Sequence, residues 1–134
     1  MTKYGYGGRE EDIYLKAFES AKQGNPTLVF NFEKENFMFY RIIASHVLKI
    51  EAFRFEHEEG LLNEKLTEHA SKFEVPIILV DQTSMSIEEI REMINKHVTI
   101  NKITHVFLDR VSDSLEIDKI ALESGLDITY LTEE

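Results

Sequence analysis

Ile103-Thr104-His105-Val106-Phe107-Leu108-Asp109-Arg110 is the stretch that decides the fold. A run of apolar and β-branched residues ending in aspartate is how a buried parallel strand delivers a carboxylate to the edge of a sheet. In nucleotide hydrolases that aspartate holds the water shell of a magnesium ion, which makes Asp109 the metal candidate of this chain. Such a strand normally works beside a glycine-rich phosphate loop ending in Gly-Lys-Ser/Thr. The sequence has no such loop. Its nearest approach is Gly5-Tyr6-Gly7-Gly8-Arg9-Glu10-Glu11, which sets carboxylates where a phosphate needs a hydroxyl and a cation. Gly8 and Arg9 are the cofactor-binding candidates in this run, as the remains of a phosphate loop. Glu10, Glu11 and Asp12 satisfy the helix dipole themselves and repel phosphate. The plain alternative is that residues 1–9 form a flexible N-terminal segment.

Outward from that strand the chain alternates between two periods. Residues 10–23 carry Ile13, Ala17, Phe18 and Ala21 at helical spacing, and Gly24-Asn25-Pro26 ends the helix. Thr27 to Phe32 reads as a strand, and Phe37 to Leu48 returns to helical spacing through Phe39, Ile43, His46 and Val47. Residues 50–60 read as loop or edge structure, because Phe53-Arg54-Phe55 alternates within a charged setting closed by Gly60. Leu62, Leu66, His69 and Phe73 share one helical face. Val75 to Val80 is the next buried strand, with Pro76 tolerated at its start. Ser86-Ile87-Glu88-Glu89 is a capping box opening a helix with Ile87, Ile90 and Ile94 inward. After Asp109, Ser112 or Asp113 caps a last helix that stops at Gly125, and Asp127 to Leu131 is the final strand.

This order, with no hairpin signal, predicts an α/β three-layer sandwich. Its mainly parallel sheet has four to five strands, joined by right-handed crossovers, with helices on both faces in one domain spanning 1–134. Ligands of such sheets sit beyond the carboxyl ends of the strands. Those ends present Glu33, Asp81 with Gln82, Asp109 with Arg110, and Thr132 with Glu133.

Composition narrows the function classes. A length of 134 residues suits one core, and the chain has no cysteine, so disulfides and thiolate chemistry are excluded. Fifteen Lys and Arg face 25 Asp and Glu, for a net charge of −10, which argues against tight, nonspecific nucleic-acid binding. No apolar run approaches ~20 residues, so no membrane span is expected. The polar, glycine-rich start is unlike a signal peptide, and the cytoplasm is the expected location. The five histidines show no zinc-ligand spacing.

Several segments together resemble the RecA-like motor domain of bacterial replicative DNA helicases. Thr27-Leu28-Val29-Phe30-Asn31-Phe32-Glu33 followed by Arg41-Ile42-Ile43-Ala44-Ser45 looks like that family's strand ending in a catalytic glutamate and the helix after it. Phe53-Arg54-Phe55 with Gly60-Leu61 is similar to its next segment. Pro76 to Asp81, then Ser86-Ile87-Glu88-Glu89-Ile90-Arg91, is the closest match. Val106-Phe107-Leu108-Asp109 stands where the magnesium aspartate would be, and Leu126 to Glu133 resembles the strand that follows.

The resemblance implies a role for Glu33 as the general base of ATP hydrolysis, with ATP and magnesium as cofactors. The departures point the other way. The phosphate loop and the strand before it are missing, and Arg110 to Ser114 runs straight into the last helix where the family inserts a DNA-binding loop. The family's N-terminal helical domain and its C-terminal hairpin and arginine finger also have no counterpart here. The expectation is a catalytically degenerate module, with Glu33 inactive and no cofactor. It would serve binding or regulation in DNA replication, with a replicative helicase or another replication protein as partner. The alternatives are a weak nucleotide-dependent enzyme using Glu33 and Asp109, and a small open α/β sensor domain.

In the family the phosphate-loop strand lies between the strand of the magnesium aspartate and the one that follows. Without it, strand 127–131 is expected to close directly on strand 104–109. The other solutions are a substitute strand from residues 2–6 or an edge donated by a second chain. Self-association through a remaining edge is a further expectation.

Overall fold

The computed structural model describes residues 4–133. Its elements are α1 (Glu10–Lys22), β1 (Thr27–Phe30), α2 (Asn36–Leu48), α3 (Ala52–His57), α4 (Leu61–Glu68), α5 (Ala70–Phe73), β2 (Ile77–Val80), α6 (Ile87–Asn101), β3 (His105–Val111), α7 (Ser114–Ser124) and β4 (Asp127–Thr132). The four strands lie in the order β2-β1-β3-β4, and every pairing is parallel.

The register explains the two-sided core. Ile78, Leu28, Val106 and Ile128 form one row across the sheet, and Val80, Phe30, Leu108 and Tyr130 form a second on the same face. These rows pack with Ile90 and Ile94 of α6 and Ile117 and Ile120 of α7. The intervening row of Leu79, Val29 and Phe107 turns the other way. It meets Ile13, Tyr14, Ala17 and Phe18 of α1 and Phe39, Ile42 and Ile43 of α2. Burying each such aliphatic or aromatic side chain contributes about 1.5–3 kcal/mol, so strands apolar on both faces hold the centre of the sheet.

Local signals place the helix ends. The Ser86 hydroxyl accepts from the Glu89 amide at 3.2 Å, and the Glu89 carboxylate accepts from the Ser86 amide at 2.8 Å, completing the capping box. Of the two candidates for the last helix, Asp113 is the cap, accepting from the Glu116 amide at 3.2 Å. Gly125 ends α7 at φ +74°, a left-handed conformation open to glycine.

Two local expectations are corrected. The segment 50–60 contains a helix, α3, rather than loop or edge strand. Ala52 and Phe55, three residues apart, are its buried face, while Phe53 points outward, so the apparent alternation is a helical pair seen at the wrong period. The face shared by Leu62 and Phe73 belongs to two helices, because the chain leaves the helical region at His69. Both residues still pack on the satellite core of Ala44, Phe55 and Leu61.

Strand β4 closes directly on β3, as expected, with His105 opposite Asp127 and Leu108 opposite Tyr130. Residues 2 and 3 of the proposed substitute strand lie outside the described residues, and residues 4–6 form no strand. Of the segment 1–9, residues 1–3 are likewise outside. Residues 4–9 do not hang free, as the site geometry below makes plain.

Candidate functional site

Because all strands are parallel, their carboxyl ends share one edge. A cavity of about 370 Å³ opens there, lined by Arg9, Glu10, Glu33, Asp109, Arg110 and Glu133. A smaller one of about 140 Å³ lies beside it, between the start of α6 and the start of α7. The fold thus brings together Glu33, Asp109 and Arg9, which are far apart in sequence. Asp81 stays outside the cavity lining and accepts from the Asn36 amide at 3.1 Å.

Asp109 is only 4% exposed. Its Oδ1 accepts from the Phe32 amide at 3.0 Å and its Oδ2 from the Glu33 amide at 2.9 Å. The Tyr14 hydroxyl of α1 donates to the same Oδ2. Burial pushes the Asp109 carboxyl above its ordinary value, and the hydrogen bonds from Tyr14, Glu33 and Phe32 pull it back. The Tyr14 hydroxyl is itself pushed far up, first by burial and then by its bond to Asp109. The carboxylate therefore ties α1 and the loop after β1 to the end of β3.

Glu33 turns the other way. Its Oε1 pairs with Arg110 Nη1 at 3.2 Å. The Arg110 guanidinium also meets Glu133 at 3.6 Å, donates to the Thr83 carbonyl and lies 5.6 Å from the Phe32 ring centre. One cation thus bridges the ends of β1, β3 and β4 and the loop before α6.

The glycine-rich segment is folded around an internal anion. Glu11, 7% exposed, accepts on Oε2 from the amides of Tyr6 at 2.6 Å and Gly8 at 3.2 Å. Its other oxygen lies 3.6 Å from His46 Nε2. The Gly5 amide donates to the Ser45 hydroxyl at 3.0 Å, and the Tyr6 hydroxyl donates to the Ala52 carbonyl at 3.3 Å. These contacts hold residues 4–8 against α2. Backbone amides gathered by glycines make an anion-binding concavity, and here a side chain of the same chain fills it. Arg9 reaches away from the loop and donates to the Thr132 carbonyl at 3.0 Å. Glu10 pairs with Lys34 at 3.4 Å.

Sequence reasoning missed Tyr14, and it did not foresee Glu11 as the occupant of the glycine loop. Tyr14 lies on the inward face of α1, and a buried tyrosine hydroxyl needs a partner, which was the available signal. The clue to Glu11 was a carboxylate three residues beyond Gly8 at a helix start, the spacing of a reaching-back cap. Among the described residues, no group of three or more His, Cys, Asp or Glu side chains is placed to hold a metal ion, and no helix is long and apolar enough to cross a membrane.

No protein-family model matches the chain, and no curated protein matches it by sequence. Solved structures do match by shape. A DnaB-like replicative helicase, from a structure describing its interactions with primase, aligns with a TM-score of 0.73 at 13% identity over 96% of this chain and 37% of that one. A second structure, of an isolated ATPase domain, aligns with a TM-score of 0.71 at 16% identity over 92% of this chain and 53% of that one. A KaiC-like protein from the hyperthermophilic archaeon Pyrococcus horikoshii OT3 gives a TM-score of 0.54 at 17% identity over 98% of this chain and 60% of that one. The chain spans less than two thirds of each, and at these identities the likeness is one of fold. A parallel sheet in the order β2-β1-β3-β4, with helices on both faces and a carboxylate at the end of β3, is thus the RecA-like fold that the motor domains of replicative helicases share.

Proposed function

We propose that this chain is a catalytically degenerate RecA-like module that acts by binding a protein, with a replicative helicase or another replication protein as the partner class. The observation that carries this reading is the Glu11 carboxylate seated on the Tyr6 and Gly8 amides. Those amides are the best phosphate cradle the chain has, and an internal anion already satisfies them. Gly8 and Arg9 therefore do not fit a nucleotide triphosphate: Gly8 serves Glu11, and Arg9 serves the backbone of β4. Asp109 does not fit a magnesium water shell, since Tyr14 and two amides claim its oxygens. The shape likeness to a helicase from a structure describing its interactions with primase supports replication as the setting.

A second reading keeps the enzyme. Glu33 and Asp109 do line one cavity, as a general base and a metal ligand would. Steady-state phosphate release from ATP with magnesium separates the two. Losing the cradle and cation of phosphoryl transfer costs on the order of 10³-fold in rate, so turnover is expected to match a no-protein blank. Turnover above the blank that disappears in Glu33→Gln would establish the enzyme reading instead.

A further inference from the structure

The two edges of the sheet differ. Edge strand β2 has four residues, follows Pro76 and ends at Asp81, so it offers little to pair with. Edge strand β4 has six residues, and its centre, Ile128-Thr129-Tyr130-Leu131, has no charge, proline or glycine. Soluble proteins blunt long edges with charges, prolines or bulges, and the centre of β4 carries neither charge nor proline.

The hydrogen bonds define what β4 leaves open. The amides of Asp127 and Glu133 both donate inward to β3, at 3.1 and 3.0 Å. By alternation, residues 128, 130 and 132 turn their main-chain groups outward. The Thr132 carbonyl is already held by Arg9. Among the described residues, that leaves the N–H and C=O of Ile128 and of Tyr130 as a compact outward set.

This set is complementary to itself. Placed antiparallel across a twofold axis through Thr129, Ile128 faces Tyr130 of a second copy and Tyr130 faces its Ile128, so the four groups on each side pair completely. The same register brings Arg9, at Thr132, beside Asp127 of the second copy, a charge match made twice. Moving the axis to Tyr130 would require the Thr132 carbonyl that Arg9 holds, and would set Asp127 against Glu133.

The adjoining helix supplies apolar surface. Leu115, Asp118 and Leu122 of α7 lie at i, i+3 and i+7, on one stripe. Asp118 accepts from the Tyr130 hydroxyl at 2.9 Å, so the stripe borders the free edge of β4. Leu115 and Leu122 are 74% and 87% exposed, the two most exposed large apolar side chains among the described residues. Glu116 and Glu123 face away from this edge, toward Arg91 of α6.

We propose that β4 and the Leu115–Leu122 stripe form a twofold interface with a second copy of this chain, continuing the sheet to eight strands and pairing the two α7 helices over it. This surface does not depend on whether the strand-end cavity takes nucleotide. Light scattering at tens of micromolar is expected to give twice the 15.6 kDa monomer mass. Leu115→Glu with Leu122→Glu should leave the circular dichroism unchanged and weaken the dimer at least tenfold. The chain has no cysteine, so Thr129→Cys should cross-link rapidly to itself on oxidation while exposed Asn63→Cys does not. A monomer across that concentration range, a dimer unaffected by the two glutamates, or Thr129→Cys cross-linking no faster than Asn63→Cys would overturn the proposal.

Discussion

The Tyr14 hydroxyl donates to Oδ2 of Asp109 across 95 residues of sequence, and the same carboxylate gathers the Phe32 and Glu33 amides. A residue that would face a metal ion in a working nucleotide site is here a clasp between α1, β1 and β3. Tyr14→Phe removes one donor from a buried carboxylate and is expected to destabilise the fold by about 1.5–3 kcal/mol near neutral pH. The pH dependence has a definite sign. Burial raises the Asp109 value in the folded state, so this group's contribution to stability is greatest below its unfolded value and is lost as pH rises through the folded one. Tyr14 opposes that rise by favouring the carboxylate. The gap between wild type and Tyr14→Phe should therefore widen as pH rises through the Asp109 titration, which urea unfolding at a series of pH values measures. A gap independent of pH would separate Tyr14 from Asp109.

Glu11 should matter to the N-terminal segment more than to the core. Glu11→Ala leaves the Tyr6 and Gly8 amides without their acceptor, at a cost of about 1–3 kcal/mol. Limited proteolysis should then cut within residues 4–9 faster than in the wild type. Gly5→Ala should act similarly, since its φ of +85° is left-handed and a Cβ there would run into the Glu11 carboxylate and the His46 ring. Unchanged cleavage in both variants would contradict the plugged-loop description.

The capping box gives a local calibration. Ser86→Ala should lower stability by about 1 kcal/mol, with the loss confined to the unfolding equilibrium and the sheet undisturbed. The Glu89 carboxyl is held below its ordinary value, chiefly by its hydrogen bonds with Ser86. Its contribution is therefore present above the unfolded value and fades as pH falls through the folded one. Thermal melts of wild type and variant at neutral and acid pH should converge at the acid end.

The net charge of −10 and the direct run from Arg110 into α7 predict no tight DNA binding. Nonspecific binders at physiological salt reach roughly 10⁻⁴–10⁻⁶ M by neutralising phosphates, and this surface offers few clustered cations. A mobility shift of single- or double-stranded DNA at submicromolar protein in such salt would refute this.

What could be read in the sequence was whatever repeats locally. The strand ending at Asp109, the box at Ser86 and the stop at Gly125 are each encoded within a few residues, and each stands where the sequence placed it. The direct pairing of β4 with β3 was also legible, because the connection after Arg110 is short. Helix α3 was not, because six residues are too few to tell two periods apart when Phe53 is exposed and Phe55 buried. The strand ends brought Glu33, Asp109 and Arg9 to one cavity, as the topology required. What each side chain does there was not legible, since the partners of Asp109 and Glu33 come from 95 and 77 positions away, and no local pattern encodes such pairs.

The central claim is that the strand-end cavity is closed on its own charges and holds no nucleotide. Calorimetric titration of magnesium–ATP into the protein tests it most directly. The expected result is no saturable heat up to millimolar nucleotide. A saturable isotherm with a micromolar dissociation constant would contradict it.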